Sequence, residues 1–268
     1  MTSLASPTEL AARHRLDRNQ NALFAVMRRL ASGNRINTGS DDPAGLIASE
    51  RLRSETRMQS VKIDGYERAY ANANIVDGHM SQLSSMMIEL ESLAVASANT
   101  AGMTDAEIQA NQQQADALAS SIQKFGGDAL TSLDSISLPD NGNQAVADAV
   151  NSAMAASASV ATGGEYALTG GDLEGAQAAI ESAMTAVASA RGTIGAYQRN
   201  TLEPSIRASQ IAVENLSAAN SRIRDTDYAA SESNRIRLEI LSETNIRTLL
   251  IAQNQASNVL SLLSGPTA

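Results

Sequence analysis

From residue 69 to 97 the chain repeats one rhythm. Ala69, Ala73, Val76, Met80, Leu83, Met87, Leu90, Ala94 and Ser97 follow one another at spacings of four and three. That is the seam of an α-helix wrapped on another helix. At about 1.5 Å per residue the run is ~40 Å long. It contains no proline and a single glycine, Gly78. Such a rod cannot bury its stripe alone and needs a second long helix beside it. Leu173, Ala176, Ile180, Ala183, Val187, Ala190, Ile194, Tyr197 and Thr201 repeat the rhythm in the other half of the chain. The two rods predict a hairpin-like bundle with the intervening segment at its far tip.

Around these rods the remaining elements fall into order. Ser6-Pro7-Thr8-Glu9 reads as a helix start, with Ser6 as cap and Glu9 reaching back. That helix runs to about Ser32, carries a narrow stripe of Leu16, Leu23, Met27 and Leu30, and stops at Gly33. The polar stretch 34–43 is a connector. Ser40, Asp41 or Asp42 caps the first long rod beside Pro43. Thr100-Ala101-Gly102 ends the rod, and Thr104 with Glu107 forms a capping box for a shorter helix ending near Phe125. Gly126-Gly127 marks a sharp turn. Alternation at 130–138 and the glycine-bracketed stretch 165–169 read as short strands. Residues 143–161 read as a helix. In the second rod Pro204 predicts a kink between Arg199 and Ser205, with a shifted stripe beyond it at Ile206, Val213, Leu216 and Ile223. Residues 225–233 form a joint. The last helix, 232–263, presents Leu238, Leu241, Ile246, Leu249, Ala252, Ala256, Val259, Leu260 and Leu263 over more than one stripe. One N-terminal helix cannot cover that width, so the chain ends are expected to self-associate.

Composition supports thin rods over a thick globule. Of 268 residues, 43% are hydrophobic but only 3% aromatic, and Trp is absent. The net charge of −9 is unevenly placed. Arg13, Arg15, Arg18, Arg28, Arg29 and Arg35 crowd the N-terminal part, whereas Lys124 is the sole base between 99 and 190. An acidic middle excludes a nucleic-acid surface there, and the basic helix lacks interleaved aromatics. No run approaches the ~18 apolar residues of a membrane span. The N-terminus lacks the apolar core of a secretory signal.

Chemistry is equally sparse. Cysteine is absent, so there is no disulfide framework or thiolate. P-loop, dinucleotide, zinc-protease and serine-hydrolase motifs are missing. His14 and His79 fall on different helices. Asp41-Asp42 fits capping better than metal binding, and Asp225 with Asp227 does not continue into a calcium loop. Neither an enzyme nor a cofactor is expected.

Several motifs taken together resemble one family. Leu30-Ala31-Ser32-Gly33-Asn34-Arg35-Ile36-Asn37, then Asp41-Asp42-Pro43-Ala44-Gly45, is similar to the "L-S-S-G-x-R-I-N … D-D-x-A-G" signature of bacterial flagellin, the subunit of the flagellar filament. Glu91-Ser92-Leu93-Ala94-Val95-Ala96-Ser97-Ala98-Asn99 resembles its "R-E-L-A-V-Q-S-A-N", and Phe125-Gly126-Gly127 stands where it has "F-N-G". Leu216-Ser217-Ala218-Ala219-Asn220-Ser221-Arg222-Ile223-Arg224-Asp225-Thr226-Asp227-Tyr228-Ala229 follows "L-x-x-A-x-S-R-I-x-D-x-D-Y-A", and Val259-Leu260-Ser261-Leu262-Leu263 matches its ending. The likeness covers residues 16–127 and 172–263.

The resemblance implies a mainly α fold of long antiparallel helical rods in a coiled-coil-like bundle. Terminal helices 1–33 and 229–268 would form an inner tube, with 44–127 and 172–224 as the surrounding rod layer. Residues 34–43 and 225–231 would be the connectors, and 128–171 a short outward segment carrying the candidate strands of a β-hairpin. It implies a homopolymer built for motility and exported unfolded through the flagellar secretion channel, with an export chaperone and cap or junction proteins as partners. Subunit-interface candidates are Leu16, Leu23, Met27, Leu30, Arg35, Leu238, Leu241, Ile246, Leu249, Val259, Leu260 and Leu263. Three departures stand out: Leu4-Ala5-Ser6-Pro7-Thr8 replaces the usual "I-N-T-N" start, large outer domains are absent, and Glu89 takes the place of an arginine that animal innate receptors recognise, although Leu93 is kept. The hook–filament junction protein shares the terminal logic, but the 222–228 signature favours the filament subunit. A ligand-binding bundle would need a buried polar cluster, and the stripes offer mainly Ala, Met, Leu and Val.

Overall fold

The computed structural model describes residues 7–98, 102–170 and 172–263, with side chains from 10 to 251 in those stretches and at 253 and 254. The elements are α1 (Pro7–Ser32), α2 (Pro43–Ala98), α3 (Asp105–Leu133), α4 (Gly142–Val160), α5 (Leu173–Tyr197), a π-turn (Gln198–Leu202), α6 (Glu203–Arg224) and α7 (Tyr228–Leu263). The chain divides into two compact units, 58–212 and the two ends 1–57 with 213–268, whose boundaries fall inside α2 and α6.

Unit 58–212 is a four-helix bundle of up-and-down connectivity. The seam read on the first rod is buried from Ala73 to Ser97, with Ala69 half-buried. Its counterpart on α5 is buried at Ala176, Ile180, Ala183, Val187, Ala190 and Ile194. Arg191 donates to Asp77 at 2.8 Å and Gln198 to Asn74 at 2.8 Å, so α2 and α5 run antiparallel. Thr104 and Glu107 form the expected capping box, and α3 then packs back along α2. Asn111 meets Ser97 near one end and Asn72 meets Ser135 at the other. The fourth wall is α4, which buries Val146, Ala149, Val150, Ala153, Ala156 and Val160 in the same core. Gln112 donates to the Val160 carbonyl and Gln123 to the Met154 carbonyl, tying α3 to α4.

The structure corrects several expectations in this unit. The turn at Gly126-Gly127 does not form, and α3 continues through both glycines to Leu133. Gly126 is there for close packing: a Cβ on it would stand 2.7 Å from the Met154 sulfur and 3.3 Å from Val150. No strand occurs among the described residues. Residues 130–133 stay helical because Leu130 and Leu133 pack on the core. Backbone groups at 136 and 138 are taken by the Asn143 side chain, which accepts from the Leu138 amide and donates to the Ile136 carbonyl. In 165–169 the Tyr166 amide goes to the Ser159 carbonyl, closing a turn where a strand partner was expected. Where a kink is expected before Pro204, the helix has a π-turn at Gln198–Leu202 and resumes as α6 at Glu203.

In the other unit α1 and α7 pack side by side, with the end of α1 at the start of α7. Gly33 takes φ +73°, and a Cβ on it would sit 3.1 Å from the Tyr228 hydroxyl. Residue type and neighbour therefore both demand glycine at the end of α1. The first turns of α2 meet the last turns of α6, where Ser49 donates to Asn220 at 2.7 Å and Arg224 pairs with Glu50 at 3.0 Å. The last helix begins at Tyr228, a turn earlier than the composition suggested, because the Asp227 carboxylate accepts from the Ala230 amide. The expected Ser6 cap and the Thr100-Ala101 break lie outside the described residues.

The two glycines of α3 should respond oppositely to substitution. Gly127 faces open space, so Gly127→Ala should stabilise the bundle by about 0.8–1.0 kcal/mol through helix propensity. Gly126→Val should destabilise by roughly 1–3 kcal/mol through overpacking against Met154. Thermal unfolding followed by circular dichroism checks both signs.

Candidate assembly surface

The connector 34–43 and the joint before α7 fold onto each other. The Arg35 amide donates to the Arg224 carbonyl at 2.6 Å, and the Thr226 amide to the Gly33 carbonyl at 2.9 Å. These bonds make Asn34 and Asp225 an antiparallel bridge. The Arg35 guanidinium donates to the Ile223 carbonyl at 2.7 Å, satisfying one of the orphan acceptors at the end of α6. Ile36, only 2% exposed, anchors the connector. Asp42 caps α2 by accepting from the Gly45 amide. Asp41 does not cap; it accepts from the amides of Asn37 and Thr38 and from the Thr38 hydroxyl, with Arg28 3.7 Å away.

On α1 the side turned inward is Leu16, Asn19, Leu23, Val26 and Leu30, spaced three and four; all are half-buried except Val26, which is buried. Met27, assigned to this stripe from sequence, is 46% exposed. The apposed seam of α7 is Ser231, Arg235, Leu238, Ser242, Asn245 and Leu249, of which only Leu238 is buried. Arg235 sits between Glu232 and Glu239 and pairs with both. The apolar residues of α7 are therefore left largely uncovered by α1. Leu241 and Ile246 are among them, together with Ile236, Ile240, Leu250 and Ile251, which sequence reading passed over. The i, i+4 pair Ile236–Ile240 was the available signal for this second stripe. Ile236, Ile240 and Ile246 also border an open groove with Leu23, while Phe24 is 68% exposed. Val259, Leu260 and Leu263 are on α7, but their side chains lie outside the described residues.

The contrast with the bundle is large. Unit 58–212 buries almost all its long stripes, whereas among the described residues the terminal unit buries only Val26, Ile36 and Leu238 of its hydrophobics and leaves a wide isoleucine-rich face open. Glu89 and Leu93 lie on the bundle. Glu89 is exposed, and Leu93 is half-buried against the core. No cluster of three or more metal-ligating side chains occurs among the described residues. No described helix is long and apolar enough to cross a membrane.

The hydrogen bonds from the Thr38 and Asn37 amides and the Thr38 hydroxyl, helped by Arg28, hold the Asp41 carboxyl below its ordinary value of 3.8 despite some desolvation. A lowered carboxylate stabilises the folded connector above the unfolded value, and that contribution is lost as pH falls through the folded value. The amide resonances of Asn37 and Thr38 should titrate with a midpoint below 3.8. They should stay flat over that range in Asp41→Asn, as read by NMR.

Comparison with known proteins accounts for this arrangement. Residues 7–134 match the profile of the bacterial flagellin N-terminal helical region, and residues 177–263 that of the bacterial flagellin C-terminal helical region. The flagellar filament 30.7 kDa core protein of Treponema maltophilum is 29% identical over 279 residues, spanning 96% of this chain and 98% of that protein. The flagellin of Bacillus subtilis is 28% identical over 291 residues, 93% and 95% of the two chains. Flagellin FlaB1 of Treponema pallidum is 27% identical over 295 residues, 92% and 99%. The chain belongs to the bacterial flagellin family: it is a structural, non-enzymatic subunit of the flagellar filament, which acts outside the cell in motility.

Proposed function

We propose that helices α1 and α7 form the inner tube of the filament and that the open face of α7 is the surface that copies bury against one another. The single observation carrying this reading is that α1, the partner of α7 within the chain, leaves Ile236, Ile240, Leu241, Ile246, Leu250 and Ile251 exposed. Burying an isoleucine is worth roughly 1.5–3 kcal/mol, so a face with Ile236, Ile240 and Ile251 has much to gain from a neighbouring copy. The rods 44–127 and 172–224 surround the tube, and 128–171 lies outward. Leu16, Leu23, Leu30, Leu238 and Leu249 hold α1 to α7, while Met27, Leu241 and Ile246 face other copies together with Val259, Leu260 and Leu263. Arg35 acts first within its own chain, on the Ile223 carbonyl.

The subunit leaves the cell unfolded through the flagellar secretion channel, held beforehand by an export chaperone, and joins cap and junction proteins at the filament ends. This rests on family membership. Glu89 puts an acid where innate receptors expect a cation, so recognition through the Glu89–Leu93 surface is weak. A receptor-reporter assay at full flagellin potency would overturn that point.

Ile240→Asp should leave the 58–212 bundle folded yet raise the critical concentration for seeded filament growth by roughly tenfold or more. Sedimentation after seeding with filament fragments, with electron microscopy of the pellet, reads it. Normal elongation by Ile240→Asp, or by a chain lacking 232–268, would refute the interface. Growth that stalls after a single ring in the unaltered chain would favour the junction role.

A further inference from the structure

The return rod contains one residue more than its seam can use. On α5 the seam runs Ile180, Ala183, Val187, Ala190 and Ile194, all no more than 2% exposed, and continues to half-buried Tyr197. The next position in that rhythm is Thr201, which is exposed. The buried residue is Leu202, at 0% exposure. From Leu202 the three-four spacing resumes without fault through Ile206, Ser209, Val213 and Leu216, each buried or half-buried. The slip of one residue coincides with the π-turn Gln198–Leu202, where the Glu203 amide reaches back five residues to the Gln198 carbonyl.

We infer that this π-turn is a register corrector: it stores one extra residue so that the seam stays in phase on both sides. In a plain α-helix of 3.6 residues per turn, an unabsorbed residue would rotate everything beyond it by about 100°. Buried Ser209 would then turn out of the seam and exposed Ala208 into it. Pro204 is a consequence and not the cause. Proline is disfavoured in an uninterrupted helix, and here the four-residue ladder is already interrupted at the Glu203–Gln198 bond just before it.

The chain has no cysteine, so single thiols report the phase directly. Thr201→Cys and Leu202→Cys, each made with Pro204 present and with Pro204→Ala, are labelled with a maleimide on the full, folded subunit. Thr201→Cys should react about tenfold faster or more in both backgrounds, since thiol reactivity follows exposure. If proline imposes the turn, Pro204→Ala straightens the helix, the order reverses, and the inference fails. Should Leu202→Cys weaken the fold, Ser209→Cys against Ala208→Cys reads the same phase. Deleting Thr201 in the Pro204→Ala chain should preserve or raise Tm, because the surplus residue is gone. The same deletion at exposed Ser182 should lower it, and equal losses at the two sites would overturn the inference.

Discussion

Phase is the constraint on which this chain depends. A seam between two helices works only while each three-four residue keeps facing its partner, and any slip accumulates along a rod. Ala73, Ala94, Ala176, Ala183 and Ala190 let the backbones of α2 and α5 approach closely, while Met80, Leu83, Met87 and Leu90 fill the space between. Low aromatic content follows, since a bundle this thin has no deep centre for large rings. The pins Asp77–Arg191 and Asn74–Gln198 lie at the half-exposed edge. Such pairs contribute little energy; their value is in fixing which turn of one helix meets which turn of the other.

What was legible in the sequence was whatever a single helix decides by itself. The stripes of α2 and α5, the stop at Gly33 and the capping box at Thr104 depend on spacing and local chemistry. What was hidden depended on a second element. Gly126 looks like a turn until Met154 of α4 is seen against it. Residues 130–138 alternate loosely, but the Asn143 side chain takes the backbone groups a strand would have offered. On α1, Val26 and Met27 are adjacent and equally apolar, and only the position of α7 decides that Val26 turns inward. Breadth of apolar surface on the last helix was visible, but not which part α1 would cover. Ile236 and Ile240 fall between the positions of the stripe read on that helix, so spacing alone does not single them out.

The two units divide the work of stability. The bundle hides its own stripes and can hold its shape on its own contacts. The terminal pair makes a seam rich in Ser, Asn and Arg and leaves its isoleucines outside, so its order draws on whatever covers that face. A protein that must remain soluble as a subunit yet pack densely in a polymer benefits from this split, because the surface that drives association is not needed to keep the bundle folded.

That division would be hazardous if α1 and α7 ordered independently, since each alone is a helix with marginal intrinsic stability. They belong to opposite ends of the chain, and bringing such distant segments together costs closure entropy that grows with the loop between them. The clasp changes this cost. Bonds from Arg35 to Arg224 and Ile223, and from Thr226 to Gly33, place the end of α1 beside the start of α7 before either helix needs a neighbour. Once the clasp is closed, pairing the two helices is a local event, like closing a short hairpin. A polar joint with little buried area thus makes the ordering of two remote helices cooperative. That is why its residues are so closely specified: glycine at 33 for its left-handed backbone and its approach to Tyr228, arginine at 35 for reach, and aspartates at 41, 42 and 227 for the three turns that frame it.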